Sequence, residues 1–242
     1  MGRVGYIVLL AGILTASHVS AQSLSFDFGD GGSITATTLQ LIALITVLSI
    51  APGLVIMITC FPFIITVLAI LRQAIGLQQS PPNMLIVSIA LFLTFFVMEP
   101  VLLESWQQGI KPLLDEQIEV EEGFDRGFEP FRVFMAAQVD PDTFATMARI
   151  RSDLDLTEVS PDTPLSVLVS TFLLSEMSRA FQVGFLIFLP FLIIDLVVAA
   201  VLMSMGMMMV PPAIVSLPFK LAFFVVANGW ALVAESLVRS YQ

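Results

Sequence analysis

The sequence predicts an all-α integral membrane protein made of bent helical hairpins, with an α-helical insertion on the periplasmic side of the membrane. Hydrophobic residues make up 57% of its 242 residues and charged residues only 12%, and the mean hydropathy is +0.94. A typical soluble domain is about one quarter charged. Four apolar blocks, arranged in two pairs, are long enough to enter a bilayer. Prolines interrupt these blocks, so we expect bent helices rather than straight ones.

Composition also excludes several classes of function. The net charge is −10 and the pI is near 4.4, so nucleic acid is not an expected partner. The one histidine, His18, lies in a segment that we expect to be removed, and Cys60 is the one cysteine. These counts exclude a Ser-His-Asp or Cys-His nucleophile, an intrachain disulfide and a His/Cys zinc site. A Walker-type loop is also absent from the sequence. We therefore expect no enzymatic activity, no metal and no cofactor.

The N-terminal segment predicts that the chain begins outside the cytoplasm. Residues 1–21 have the features of a secretory signal peptide, because Arg3 supplies a positive charge, residues 6–14 form a short apolar core, and small residues precede Gln22. An uncleaved short anchor is the alternative. Residues 22–38 are polar and glycine-rich, and we interpret them as a periplasmic leader.

Residues 39–103 are predicted to form the first hydrophobic helical hairpin. Its first block, about 39–71, is longer than one crossing needs, and Pro52-Gly53 and Pro62 interrupt it. The second block, about 83–103, begins after two consecutive prolines. We expect a kinked or broken helix followed by a continuous one.

Residues 104–182 are predicted to form an acidic, helical, periplasmic region. Between 104 and 183 the chain has 15 acidic and 6 basic residues, and such a segment is atypical of the cytoplasmic side, where Lys and Arg concentrate. Aromatic and methionine residues recur at helical spacing between 124 and 135, which predicts an amphipathic helix. Asp140-Pro141 resembles a cap followed by a first-turn proline and predicts a second helix. A third, mostly buried helix is expected over 164–181.

Residues 183–242 are predicted to form the second hydrophobic hairpin, with apolar blocks at about 183–205 and 214–238. The loop between them is rich in thioethers and holds Met207, Met208 and Met209. Helix breakers form the hinges of this loop: Gly206, Pro211 and Pro212. Because methionine is unbranched and polarisable, it packs against many shapes. The loop therefore suits a soft seal, and a methionine-rich hairpin turn without a function is the alternative.

Charged residues inside apolar blocks need a partner, a watery cavity or an interfacial position, because a charge at the bilayer centre costs roughly 2.5–3.5 kcal/mol. Four positions raise this question: Glu99, Asp195, Lys220 and Glu235. We hypothesise that Asp195 and Lys220 pair, within one chain or across neighbours, and that the other two are interfacial. Glu176 and Arg179, three residues apart, are either a helix-surface pair or an intersubunit contact.

Long motifs resemble the FliP family of flagellar type III export-gate proteins. Residues 175–198 read SEMSRAFQVGFLIFLPFLIIDLVV, and 205–212 read MGMMMVPP. SLPFK at 216–220 follows, with Gly229-Trp230 beyond it, and RQAIGLQQSPPN (72–83), LFLTFFVMEP (91–100) and PFRVFM (130–135) match upstream. The resemblance covers about residues 39–238. Ser170-Thr171 and Asn228 depart from the family pattern, which bears on the local helix entry and on one polar contact.

The resemblance implies a subunit of a protein-conducting channel in the flagellar basal body, in the bacterial cytoplasmic membrane. FliP-like subunits form a ring of five copies, completed by FliQ-like and FliR-like subunits, with FlhA-like and FlhB-like export proteins as further partners. Unfolded flagellar proteins are the substrates that pass through it, and membrane lipid surrounds it. The family's gasket, which closes the pore, corresponds to Met207, Met208 and Met209 here.

Two other functions remain alternatives at this stage. An ion or solute transporter would explain carboxylates such as Asp195 and Glu99 within broken helices. An intramembrane aspartyl protease is less consistent with the sequence, because its one Gly-Asp pair is Gly29-Asp30, in the polar leader. Neither alternative explains three consecutive methionines in a turn.

Overall fold

The computed structural model describes residues 34–77, 81–151, 158–207 and 209–241, and all of the regular structure in these ranges is helical. This confirms the predicted all-α class. The predicted signal peptide (1–21), most of the predicted leader (22–38) and Met208 lie outside the described residues. The chain divides into two compact units, residues 1–49 and 50–242. Helix α1 (Ile34–Met57) begins in the first unit and ends in the second, and most of its apolar side chains are exposed.

Helices α2 (Phe61–Ile75) and α3 (Asn83–Ser105) follow in the second unit. The predicted interruption of the first block is confirmed, and the break lies at residues 58–60. Pro62 lies in the first turn of α2, where the N–H groups have no partner within the helix, so the N–H that proline lacks costs no hydrogen bond. Helix α1, by contrast, continues through Pro52. With 15 residues α2 is short for a crossing, and it is the most buried helix of the fold, packed against α7 and α3.

The acidic insertion is helical, as predicted. Helix α3 continues through a π-helical turn (Trp106–Ile110) into the short α4 (Lys111–Leu114). Helix α5 (Val120–Gln138) packs against α3 and the π-turn, and α6 (Pro141–Ile150) packs against α7. Asp140 caps α6, because its carboxylate accepts a hydrogen bond from the Thr143 N–H at 2.8 Å.

Helix α7 (Leu165–Ser204) is a single 40-residue helix, roughly 60 Å long at 1.5 Å per residue. The expected separation of a helix over 164–181 from a block over 183–205 is therefore wrong, and the boundary at 182/183 lies inside one helix. No helix-breaking residue stands at that boundary.

The last apolar block, predicted at about 214–238, is divided in the structure. It consists of α8 (Pro212–Val226) and α9 (Gly229–Arg239), bent by 63°. Asn228 adopts a left-handed conformation (φ 50°), which asparagine tolerates better than most residues. The next residue, Gly229, has no room for a side chain, because a Cβ there would lie 2.2 Å from the Phe224 ring.

Among the described residues, three helical stretches are long and apolar enough to cross a membrane, namely 38–57, 83–114 and 165–204. The bent α8–α9 pair gives a fourth when it is counted as one span. Helix α7 contacts α2, α5, α6 and α8, so it organises the second unit and positions the α7–α8 hairpin.

Candidate functional site: the methionine loop and two charge clusters

The methionine loop, defined here as residues 205–211, joins α7 to α8 between two well-defined helix ends. The Gly206 N–H donates to the carbonyl of Met203 at 3.0 Å, and the Met207 N–H donates to that of Leu202 at 3.0 Å. With Gly206 at φ +76°, this is the Schellman termination of a helix. On the other side Pro211 is the N-cap of α8. The loop ends are therefore fixed by local backbone chemistry.

Pro212 occupies the first position of α8, where its fixed φ favours the start of a helix. The described thioethers of the loop point outward, since Met207 is 42% exposed and Met209 is 97% exposed. Met208, the middle residue of the predicted gasket, lies outside the described residues. An apolar side chain that is almost fully exposed needs a cover in the assembled protein or a bound chain.

An apolar groove with a volume of about 570 Å³ runs between α7 and α8 up to the loop. Ile194, Val198 and Leu202 form its α7 side, and Phe219 forms part of its α8 side. Met207 also lines this groove, so the methionine loop closes one end of an aliphatic surface.

The α2–α7–α8 junction, defined by the Ala74 carbonyl, Asp195, Ser216 and Lys220, lies behind the groove. The Lys220 ammonium is 2.6 Å from Asp195 Oδ2 and donates to the Ala74 carbonyl at 3.0 Å. Ser216 Oγ donates to Asp195 Oδ1 at 2.5 Å. The structure thus brings Asp195 and Lys220 together within one chain. Ser216 and Ala74 were missed in the sequence analysis, although Ser216 lies four residues before Lys220 and so shares its helix face.

The Tyr241 cluster, defined by Phe63, Gln138, Glu176, Arg179 and Tyr241, is the second buried charge site. Glu176 is fully buried, and its Oε1 lies 2.8 Å from Arg179 Nη2 in an ion pair that lacks hydrogen-bond alignment. Arg179 Nη1 donates to Gln138 Oε1 at 2.6 Å. The guanidinium lies between two rings, 4.6 Å from the Phe63 centroid and 4.4 Å from that of Tyr241.

The Tyr241 hydroxyl completes this cluster by donating to Glu176 Oε2. Burial, and then the charge of Glu176, raises the pKa of Tyr241 above its ordinary value, so the hydroxyl remains a donor. The contact crosses 65 residues of sequence, and nothing in the local pattern around Tyr241 indicated it. Within this chain, Glu176 and Arg179 are not an exposed surface pair, because Glu176 is fully buried, and an intersubunit contact at this site stays a prediction.

The other two charges flagged in the sequence lie outside these clusters. Glu99 is exposed on α3. Glu235 is exposed and forms an ion pair with Arg239 one turn later at 2.7 Å. Across the part of the chain that the structure describes, no three His, Cys, Asp or Glu side chains come together as metal ligands would.

Long apolar helices, a loop of exposed thioethers and charges neutralised inside the helix packing define an all-helical membrane protein. Residues 44–237 match the model of the FliP family. The chain is 51% identical over 230 residues to the flagellar biosynthetic protein FliP of Caulobacter vibrioides, covering 95% of this chain and 86% of that protein. It is 43% identical to the Agrobacterium fabrum protein of the same name, covering 98% and 97%.

The flagellar biosynthetic protein FliP of Bacillus subtilis is 44% identical over 209 residues, which is 85% of this chain and 93% of that protein. These matches cover the loop, both charge clusters up to residue 237 and the acidic insertion. The chain belongs to the FliP family.

Proposed function

We propose that this chain is a subunit of the protein-conducting gate of flagellar type III export, and that its methionine loop is the gasket of that gate. Family membership supports the first part, because FliP-family proteins serve flagellar biosynthesis and export as structural components of the membrane-associated apparatus, not as enzymes. The position of the loop supports the second part.

One observation carries the gasket proposal. Met209 is 97% exposed at the tip of a loop whose two ends are fixed by a Schellman termination and a proline start. The backbone at the loop ends is defined while the thioether side chains extend away from the packed helices. A flexible apolar side chain on a defined backbone suits a contact that must close and then yield to varied polypeptides.

Exposed apolar surface supports assembly into a larger complex. Along α7, Phe181, Phe185 and Ile193 are each about 60% exposed, and Val226 on α8 is 87% exposed. Lipid covers part of such surface, and neighbouring subunits cover the remainder. We propose a homo-oligomer of five copies with FliQ-like and FliR-like subunits, in contact with FlhA-like and FlhB-like export proteins.

The topology proposal places residues 104–182 on the periplasmic side of the cytoplasmic membrane, since the region is acidic and helical. Residues 39–103 and 183–242 form the two hydrophobic hairpins, and residues 1–21 are a cleaved signal that precedes the leader over 22–38. Unfolded flagellar proteins are the proposed cargo.

The transporter alternative was based on Asp195 and Glu99 as carboxylates within broken helices, and the contacts of these two residues do not favour it. Asp195 is paired with the Lys220 ammonium and accepts a hydrogen bond from Ser216, so its carboxylate already has a cation and a donor beside it. Glu99 lies on an exposed face of α3, away from this junction.

Substitution of the loop methionines tests the gasket. In cells that carry the full export apparatus, Met207→Ala and Met209→Ala should increase the uptake of a small membrane-impermeant dye and alter the export of flagellar proteins. Met84→Ala is a matched control, because Met84 is 82% exposed but lies on α3. Unchanged dye uptake in the double loop variant, at normal protein abundance, would overturn the gasket proposal.

A further inference from the structure

Lys220 contacts two helices besides its own. From α8 its ammonium reaches Asp195 on α7 at 2.6 Å and the carbonyl of Ala74 on α2 at 3.0 Å. Lys220 is only 6% exposed, whereas the side chain of Asp195 is 33% exposed, so the ammonium is buried and its carboxylate partner is partly accessible. An ammonium has three donors, and the structure engages two of them across helix boundaries.

The end of α2 explains why a cation stands at this point. Helix α2 terminates at Gly76 in a left-handed conformation (φ +89°), and Ala74 lies within its last turn. Carbonyls of a last turn lack a partner within the helix and carry the negative end of the helix dipole. A buried cation from another helix satisfies one of these carbonyls. Lys220 therefore caps α2 while it pairs with Asp195.

The junction stands close to both ends of the methionine loop. Asp195 lies nine residues before the end of α7, or about 13 Å along the helix, and Ser216 lies four residues after the start of α8, or about 6 Å. Ser216 is fully buried and holds the second oxygen of Asp195. The tilt of α8 at this junction therefore determines how far apart the two ends of the loop stand.

We infer that Lys220 is a positioning residue of the gate: by bridging Asp195 and the C-terminus of α2, it sets the position at which the methionine loop closes. This inference rests on the proposed gasket function. A three-helix junction differs from a simple ion pair in one testable respect. The junction requires the cation to stand on α8, whereas a simple pair requires only opposite charges on α7 and α8.

Charge exchange separates these two cases. In the exchange variant Asp195→Lys/Lys220→Asp a carboxylate would face the Ala74 carbonyl and the negative end of α2. A simple pair would tolerate the exchange, whereas a three-helix junction would not. Lys220→Arg also keeps one cation and one carboxylate, but it leaves the cation on α8. The neutral double variant Asp195→Asn/Lys220→Met removes the unpaired charge altogether.

The experiment measures dye uptake and export of flagellar proteins in cells with the complete apparatus, each divided by the amount of gate protein in the membrane. Lys220→Met should lower export per molecule by roughly tenfold or more, because it leaves Asp195 without its cation. The exchange variant should be as defective as Lys220→Met and should leak dye. Lys220→Arg should remain close to wild type, and the neutral double variant should recover part of the loss. Lys111→Met, at an exposed lysine, is the matched control.

The inference is overturned by wild-type export and sealing in the exchange variant, by equal defects in Lys220→Arg and the exchange variant, or by a lower amount of gate protein with no change in export per molecule. If Lys220→Met does not accumulate, the comparison of Lys220→Arg with the exchange variant still decides. The double loop variant Met207→Ala/Met209→Ala is measured in parallel. Leak in the double loop variant without leak in the exchange variant refutes the role of Lys220 and leaves the gasket intact, whereas absence of leak in the double loop variant refutes the gasket itself.

Discussion

Replacing Tyr241 by phenylalanine removes one hydroxyl from the Tyr241 cluster and leaves the ring in place. The ring lies 4.4 Å from the Arg179 guanidinium carbon, with its centroid 6.0 Å from that of Phe134 and 5.6 Å from that of Phe63. Phenylalanine retains all three of these contacts. The variant therefore isolates the hydrogen bond to Glu176.

The structure sets the size of the effect. Glu176 is fully buried, and a hydrogen bond to a charged group contributes roughly 1.5–3 kcal/mol. We expect Tyr241→Phe to lower the free energy of unfolding by about 2 kcal/mol. Tyr241→Ala also loses the ring contacts and should cost about twice as much. For a chain of this size, about 2 kcal/mol corresponds to a decrease in Tm of roughly 4–8 °C.

The assay is thermal denaturation of the purified full-length chain in detergent, combined in a double-mutant cycle with Glu176→Gln. Because an amide is a weaker acceptor than a carboxylate, the cost of Tyr241→Phe should fall to about half in the Glu176→Gln background. A Tm of Tyr241→Phe within about 1 °C of wild type, or the same loss in both backgrounds, would contradict the reasoning.

The pH dependence of this contribution has a definite sign. The folded-state pKa of Tyr241 is raised above the unfolded value, because burial and the charge of Glu176 disfavour the phenolate. The contribution is therefore fully present below the unfolded pKa, near 10, and is lost only as the pH rises through the folded pKa. The difference in Tm between wild type and Tyr241→Phe should accordingly be no smaller at pH 9 than at pH 7.

Two further predictions concern packing and thiol chemistry. Gly109→Ala would place a Cβ 2.4 Å from the Cα of Gly127, so thermal denaturation should show a loss of about 1–3 kcal/mol, whereas Gly127→Ala, with its nearest contact at 3.6 Å, should be neutral or better. Similar Tm values for the two variants would refute this. Cys60 is fully buried and burial raises its pKa to about 12, so a maleimide should not label it at pH 8 in intact membranes. The control is a variant in which Cys60 is replaced and the one cysteine stands at the exposed position of Ser236. If Cys60 in the folded protein were labelled as fast as this control, its buried position would be refuted.

Local signals in the sequence predicted the local features of the site. The Asp140 cap and the breakers around the methionine loop depend on neighbouring residues only, and the structure has α6 and the loop ends where those residues stand. The break between α8 and α9 had a local signal as well, since Asn228-Gly229 is a turn dipeptide. It was read as part of an apolar block because the residues on both sides are hydrophobic.

The missed features depend on tertiary contacts. The Tyr241 hydroxyl and Glu176 are 65 residues apart, and the Lys220 ammonium and the Ala74 carbonyl are 146 residues apart. A backbone carbonyl that accepts a hydrogen bond from a distant ammonium has no sequence signature at all. The continuity of α7 was missed for the opposite reason, because a change in hydropathy near 182 was taken as a boundary of structure.

The continuity of α7 has a mechanical consequence for the gate. One uninterrupted helix carries Glu176 of the Tyr241 cluster and Asp195 of the junction, 19 residues or roughly 28 Å apart. At the first site α7 is held by α5 and the C-terminus, and at the second by α2 and α8. The two sites hold α7 against rotation, and Pro190 lies between them, where it removes one backbone hydrogen bond of the helix. If the chain acts as the proposed gate, we expect its movement at the interruptions of regular helical hydrogen bonding, which include the segment between the Schellman termination at Gly206 and the start of α8 at Pro212.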